Sequence, residues 1–131
     1  MPILICTVDR EQNEIDALAL GPVRYAEIER HLLEERNIDG LACKEVIDAR
    51  DGSLSFAGSP AESRKIVALV RSLSQQSKFG PTAVLVSTDF AFGVMSMMEF
   101  LVEDVADLRP FREEGPARSW LAGRSAESDS T

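Results

Sequence analysis

The chain carries a single histidine, His31, and two cysteines, Cys6 and Cys43. Nucleophilic catalysis needs a thiol or hydroxyl with a base in hydrogen-bond reach. His31 stands in a charged run, Glu29-Arg30-His31-Leu32-Leu33-Glu34-Glu35, where a solvated or salt-bridged imidazole is the expected state. A Cys43–His31 dyad is the one catalytic pairing to weigh, and the spacing gives it no support. Both cysteines lie in apolar stretches that read as strands, where a free thiol behaves as a small buried hydrophobe. A structural zinc site takes four Cys/His ligands, usually in close pairs. Two thiols and one imidazole, far apart in sequence, do not supply that set. Asp48 and Asp51 are too few to define another site, so no metal is expected. Glu45 and Asp48 fall on opposite faces of a regular strand and make no acid–base pair. Gly-x-Gly-x-x-Gly, P-loop and Gly-x-Ser-x-Gly patterns are absent from the sequence. The expectation is a protein that is not an enzyme and needs no cofactor.

These residues are positioned by a series of short elements. Ile3 to Val8 and Glu14 to Ala19 read as strands joined by the polar turn Asp9-Arg10-Glu11-Gln12-Asn13, an antiparallel hairpin. Gly21-Pro22 ends the second strand, and proline suits a first helical position. The spacing of Tyr25, Ile28 and Leu32 predicts a helix to about Arg36, closed by Asn37 to Gly40. Leu41 to Ala49 is the third strand. The Asp/Gly/Ser loop after it carries a short extended piece at Leu54 to Phe56. Ser59-Pro60-Ala61-Glu62 has the capping-box pattern with proline at the first helical position. The helix it opens buries Ile66, Leu69, Val70 and Leu73, and Gly80-Pro81 stops the segment. Thr82 to Ser87 is nearly all apolar, as a strand buried on both faces should be. Thr88 or Asp89 caps a third helix to about Asp104. Leu108 to Arg112 is a last strand, and Pro110 marks it as an edge. Gly115-Pro116 opens a short final helix with Trp120 and Leu121. The order β-β-α-β-α-β-α-β-α indicates a layered α/β domain with a mixed, mostly parallel sheet of about five strands.

A chain of 131 residues fits one domain, set at residues 1–123, followed by a polar, Ser-rich tail at 124–131 that is expected to be disordered. The 44% apolar content is that of a soluble globular protein. The net charge of −8 argues against nucleic acid and anionic membranes as main partners, since both ask for a basic patch. The start of the chain lacks the pattern of a signal peptide, and no run approaches the ~18 apolar residues of a membrane span. The expected location is the cytoplasm.

The helix from Asp89 is the most unusual element. At the helical repeat, Phe90, Val94, Met97, Leu101 and Val105 form one stripe. Ala91, Met95, Met98 and Val102 lie beside it, and Phe92 projects nearly opposite. The apolar arc is about twice the ~100° needed to pack one face on a sheet. Neighbouring helices, a homodimer contact, or an apolar ligand under the helix must cover the excess. The candidate surface is Phe92, Met95, Met98 and Val102, and methionine suits adaptable contacts.

The element order resembles the STAS fold of the anti-sigma-factor antagonists. The second half is similar to a group of small bacterial STAS-like (SpoIIAA-like) proteins, related in fold to CRAL-TRIO lipid carriers. Phe79-Gly80-Pro81-Thr82-Ala83-Val84, Ser87-Thr88-Asp89-Phe90-Ala91-Phe92-Gly93, Met97-Met98-Glu99, Phe111-Arg112, Ala117 and Trp120-Leu121 carry that resemblance. STAS antagonists of the phospho-switch type carry an Asp-Ser-Ser/Thr-Gly-like segment before a helix. Here the region reads Asp51-Gly52-Ser53-Leu54-Ser55-Phe56-Ala57-Gly58-Ser59-Pro60, without the motif. Ser59 is the nearest phospho-switch candidate, and its role as a helix cap is by itself a sufficient explanation. The resemblance implies a non-catalytic regulatory or protein-interaction module, as a homodimer or with another protein. The alternative is a binder or carrier of a small apolar, lipid-like ligand under the Met/Phe helix.

Overall fold

The computed structural model describes residues 3–36 and 42–124. The elements follow the expected order: β1 Leu4–Asp9, β2 Glu14–Ala19, α1 Tyr25–Arg30, β3 Lys44–Asp48, α2 Pro60–Ser74, β4 Thr82–Leu85, α3 Asp89–Val102, β5 Leu108–Phe111 and α4 Glu114–Ala122. The sheet has five strands in the order β1-β2-β3-β4-β5. β1 and β2 pair antiparallel, and the other three pairings are parallel. The hairpin turn is closed by Asp9, whose Oδ1 accepts from the backbone N–H groups of Glu11 and Gln12. Asn13 takes the left-handed conformation at φ 57°, which asparagine tolerates better than most residues.

The period-2 rule sorts each strand between the two faces of the sheet. On one face, Leu4, Ala19 and Val84 meet Ile28, Ile66, Met95 and Met98 from α1, α2 and α3. On the other, Val46, Ala83 and Leu85 meet Ala117 and Leu121 of α4. That helix packs on β4 and β5, and Ile5 and Leu18 on the same face are partly exposed. β5 is an edge strand, with Pro110 buried within it.

Four local features differ from expectation. Pro22 does not open a helix; it bridges to Ser53 in extended backbone, and α1 begins at Tyr25. There the Glu27 side chain accepts from the Arg24 backbone N–H at 2.8 Å. The last part of that helix, His31–Arg36, is π-helical. Leu54 to Phe56 is not an extended piece, because Ser55–Gly58 closes a 3-10 turn that buries Phe56 and Ala57. At α2, Ser59 caps Glu62 N–H at 3.2 Å. The reciprocal half of the box is missing, because the Glu62 carboxylate pairs with Arg24 and accepts from Tyr25 N–H instead. The helix end at residues 37–40 and the tail at 125–131 lie outside the described residues. Arg124 is described, and it pairs with Asp107 at 2.5 Å.

Candidate functional site

The residues with chemical potential gather where the π-helical turn crosses β1, β3 and the start of β4. In a π turn, hydrogen bonds run i to i+5, so residue i+5 comes under residue i along with i+4. Glu35 reaches the His31 ring, and Arg36 shares the Glu45 carboxylate with it. Arg36 is enclosed, and its Nη1 donates to Glu45 Oε1 and to Thr82 Oγ1, both at 2.9 Å. Its Nη2 donates to the carbonyls of Cys43 at 2.9 Å and Gly80 at 3.1 Å. The guanidinium also lies over the Phe79 ring, 5.2 Å from its centre. Gly80 is required at this point, because a Cβ there would overlap the carbonyl oxygens of Ala42 and Cys43.

His31 is 0% exposed. Its Nε2 lies 2.5 Å from Glu45 Oε2, which is equally enclosed. Its Nδ1 lies 2.9 Å from Glu35 Oε1 and 3.2 Å from Cys6 Sγ. Cys6 Sγ is also 3.4 Å from Glu35 Oε1. Burial opposes the imidazolium, but the hydrogen bonds to Cys6 and Glu45 and the Glu45 charge outweigh it, pushing His31 up to about 11. Burial also acts against charge on Glu35, and hydrogen bonds from His31 and Cys6 hold it below the usual carboxylate range. Desolvation pushes the Cys6 thiol up, partly offset by His31. The imidazole is thus paired, as one of the expected states had it, but buried rather than solvated. Its thiol neighbour is Cys6 and not Cys43; Cys43 is buried beside Arg36.

The structure places the candidate residues of the Met/Phe helix on its inner side. Met95, Met98 and Val102 are 4%, 2% and 1% exposed, turned onto the sheet, and Phe92 is half-buried against the same core. Met98 also lines a groove between α2 and α3. Gly93 meets no close neighbour. Met95, Met98 and Val102 line a pocket of about 80 Å³ whose walls also include His31, Arg36 and Glu45. Ligand pockets usually span ~300–1,000 Å³, so this space is too small for a lipid chain. The outward residues of α3 are Phe90 (63%), Met97 (51%), Phe100 (69%) and Leu101 (44%). Phe90, Met97 and Leu101 line a surface groove of about 690 Å³ between α3 and α2, with Pro60, Arg64 and Val67 on its other wall. Ser59 serves as the α2 cap.

A solved structure shares this architecture. It is an uncharacterized protein of the DUF3478 family with a SpoIIAA-like fold, from Shewanella loihica PV-4. The two superpose with a TM-score of 0.56 over 90% of this chain and 93% of that one, at 15% identity. The fold is SpoIIAA-like. No family model and no curated protein matches the sequence. No helix among the described residues is long and apolar enough to cross a membrane.

Proposed function

We propose that this SpoIIAA-like chain is a non-catalytic interaction module that pairs with a second copy of itself through the α2–α3 face. The observation that carries this is the outward row Phe90, Met97, Phe100 and Leu101. Isolated apolar residues on a surface need no explanation, but a contiguous patch of large ones marks a contact site. Phenylalanine and methionine are also favoured in the centre of protein interfaces. Phe100 does not line the α2–α3 groove and stands beside it. One copy thus offers both an apolar ridge and an apolar groove, the arrangement a two-fold, self-complementary pair requires. The imidazole is locked between two carboxylates, which supports the non-catalytic reading. Both cysteines are free thiols, and a reducing compartment such as the cytoplasm suits them.

A second reading rests on the groove itself, whose volume of about 690 Å³ suits a small apolar ligand. A ligand in the groove leaves Phe100 in water, whereas a second copy covers it. Sedimentation of wild type and Phe100→Glu separates the two. A wild-type dimer that becomes a monomer in the variant is the expected result. A monomer in both, with a retained apolar molecule, overturns the pairing and favours the ligand.

A further inference from the structure

The grouping of Cys6, His31 and Glu35 goes beyond pairing through α3 and lies on other elements. The thiol comes from β1 and the other two side chains from the π-helical turn. Sγ, Nδ1 and Oε1 mark a triangle with edges of 3.2, 3.4 and 2.9 Å. A tetrahedral ion with metal–sulfur bonds of ~2.3 Å and metal–nitrogen and metal–oxygen bonds of ~2.0–2.2 Å separates its ligands by roughly 3.3–3.6 Å. All three edges lie within ~0.5 Å of that range. The adjustment is a small one for Glu35, whose side chain is 30% exposed.

A second observation points the same way. Metal-bound histidines usually donate their other ring nitrogen to a carboxylate, which fixes the tautomer and aims the lone pair. Here Nε2 meets Glu45 Oε2 at 2.5 Å, deep in the core, and Arg36 pins the other oxygen of that carboxylate. That bond places the Nε2 proton on the Glu45 side and leaves Nδ1 to face Cys6 and Glu35. The π turn that brings these side chains together is itself a rare element, frequent at functional sites.

We propose that Cys6 Sγ, His31 Nδ1 and Glu35 Oε1 bind one borderline divalent cation of the zinc type. One sulfur, one nitrogen and one oxygen do not suit magnesium or calcium, which take oxygen ligands. The fourth position belongs to water, which reaches the site past the half-exposed Cys6 and Glu35. On binding, protons leave Sγ and Nδ1 while two positive charges enter, so the net charge of the cluster is unchanged. The ion ties the edge strand β1 to the π turn.

Cobalt(II) titration of the full chain, stripped with chelator and kept reduced, tests this. One equivalent should bind, with thiolate-to-cobalt charge-transfer absorption, and zinc should displace it. Cys6→Ser, checked for folding by circular dichroism, should lose that absorption, and Glu35→Gln should bind at least tenfold more weakly. Cys43→Ser should behave as wild type. Zinc should also raise the melting temperature of wild type and not of Cys6→Ser. No saturable binding in wild type, or unchanged binding in folded Cys6→Ser, overturns the proposal.

Discussion

Replacing Glu45 with alanine should be among the most damaging single changes in this protein. The carboxylate is fully enclosed and meets two cationic groups, His31 Nε2 at 2.5 Å and Arg36 Nη1 at 2.9 Å. Deleting one member of a buried charge pair leaves its partner uncompensated and costs ~3–5 kcal/mol. An exposed pair such as Arg71–Asp104 is worth under ~1 kcal/mol. A domain is stable by only ~5–15 kcal/mol, so Glu45→Ala removes a large share. Urea unfolding at neutral pH, in chelator, reads the loss directly. With an m value of ~1.5 kcal/mol/M, a loss of ~4 kcal/mol lowers the midpoint by roughly 2.7 M. Glu45→Gln keeps the volume and can still accept from Arg36, so its cost should be smaller, ~1–3 kcal/mol. If Glu45→Ala unfolds at the same urea concentration as Asp104→Ala, the buried cluster does not hold π turn to sheet as argued.

Three further outcomes follow from the geometry. His31 is raised from its ordinary value to about 11 in the folded chain; its contribution to stability is therefore complete below about pH 6.5 and is lost as pH climbs toward 11, by at most ~1.4 kcal/mol per pH unit. Imidazole proton shifts followed by NMR in chelator check this, and a midpoint near the ordinary histidine value contradicts it. Met98→Ala opens the core beneath α3, where the side chain is 2% exposed, and should cost ~2–5 kcal/mol in urea; Phe100→Glu, by contrast, compared below the concentration at which wild type pairs, should fold with stability within ~0.5 kcal/mol of it. Gly80→Ala drives a methyl into the Ala42 and Cys43 carbonyls, so its thermal midpoint should fall further than that of Gly58→Ala, where nothing lies close.

Much of the architecture is legible because its local signals agree. Alternation in Glu14–Ala19, the Ser59-Pro60 start and the apolar run at Thr82 each match what the sheet and helices then bury. The rotation of α3 was not legible for the opposite reason. A helix apolar around most of its circumference carries no pattern to choose its inward side, so packing on the sheet selected Met95, Met98 and Val102 and left Phe90, Met97 and Leu101 outward. The polar cluster escaped a reading by spacing because its parts are long-range. Cys6 meets His31 across 25 residues and Arg36 meets Thr82 across 46. A search limited to four Cys/His ligands also overlooks a site in which a carboxylate is the third. Two signals did exist. His31 and Glu35 stand four apart on one helix face, and strand alternation turns Glu45 to the face that the helix covers.

Native mass spectrometry of the full chain, prepared without detergent, tests the central claim most directly. The account predicts, in chelator, a dimer with no retained organic ligand, and a monomer at the same concentration for the Phe90→Glu/Phe100→Glu variant. A wild-type monomer, or a dimer that survives both substitutions, contradicts pairing through the exposed face of α3.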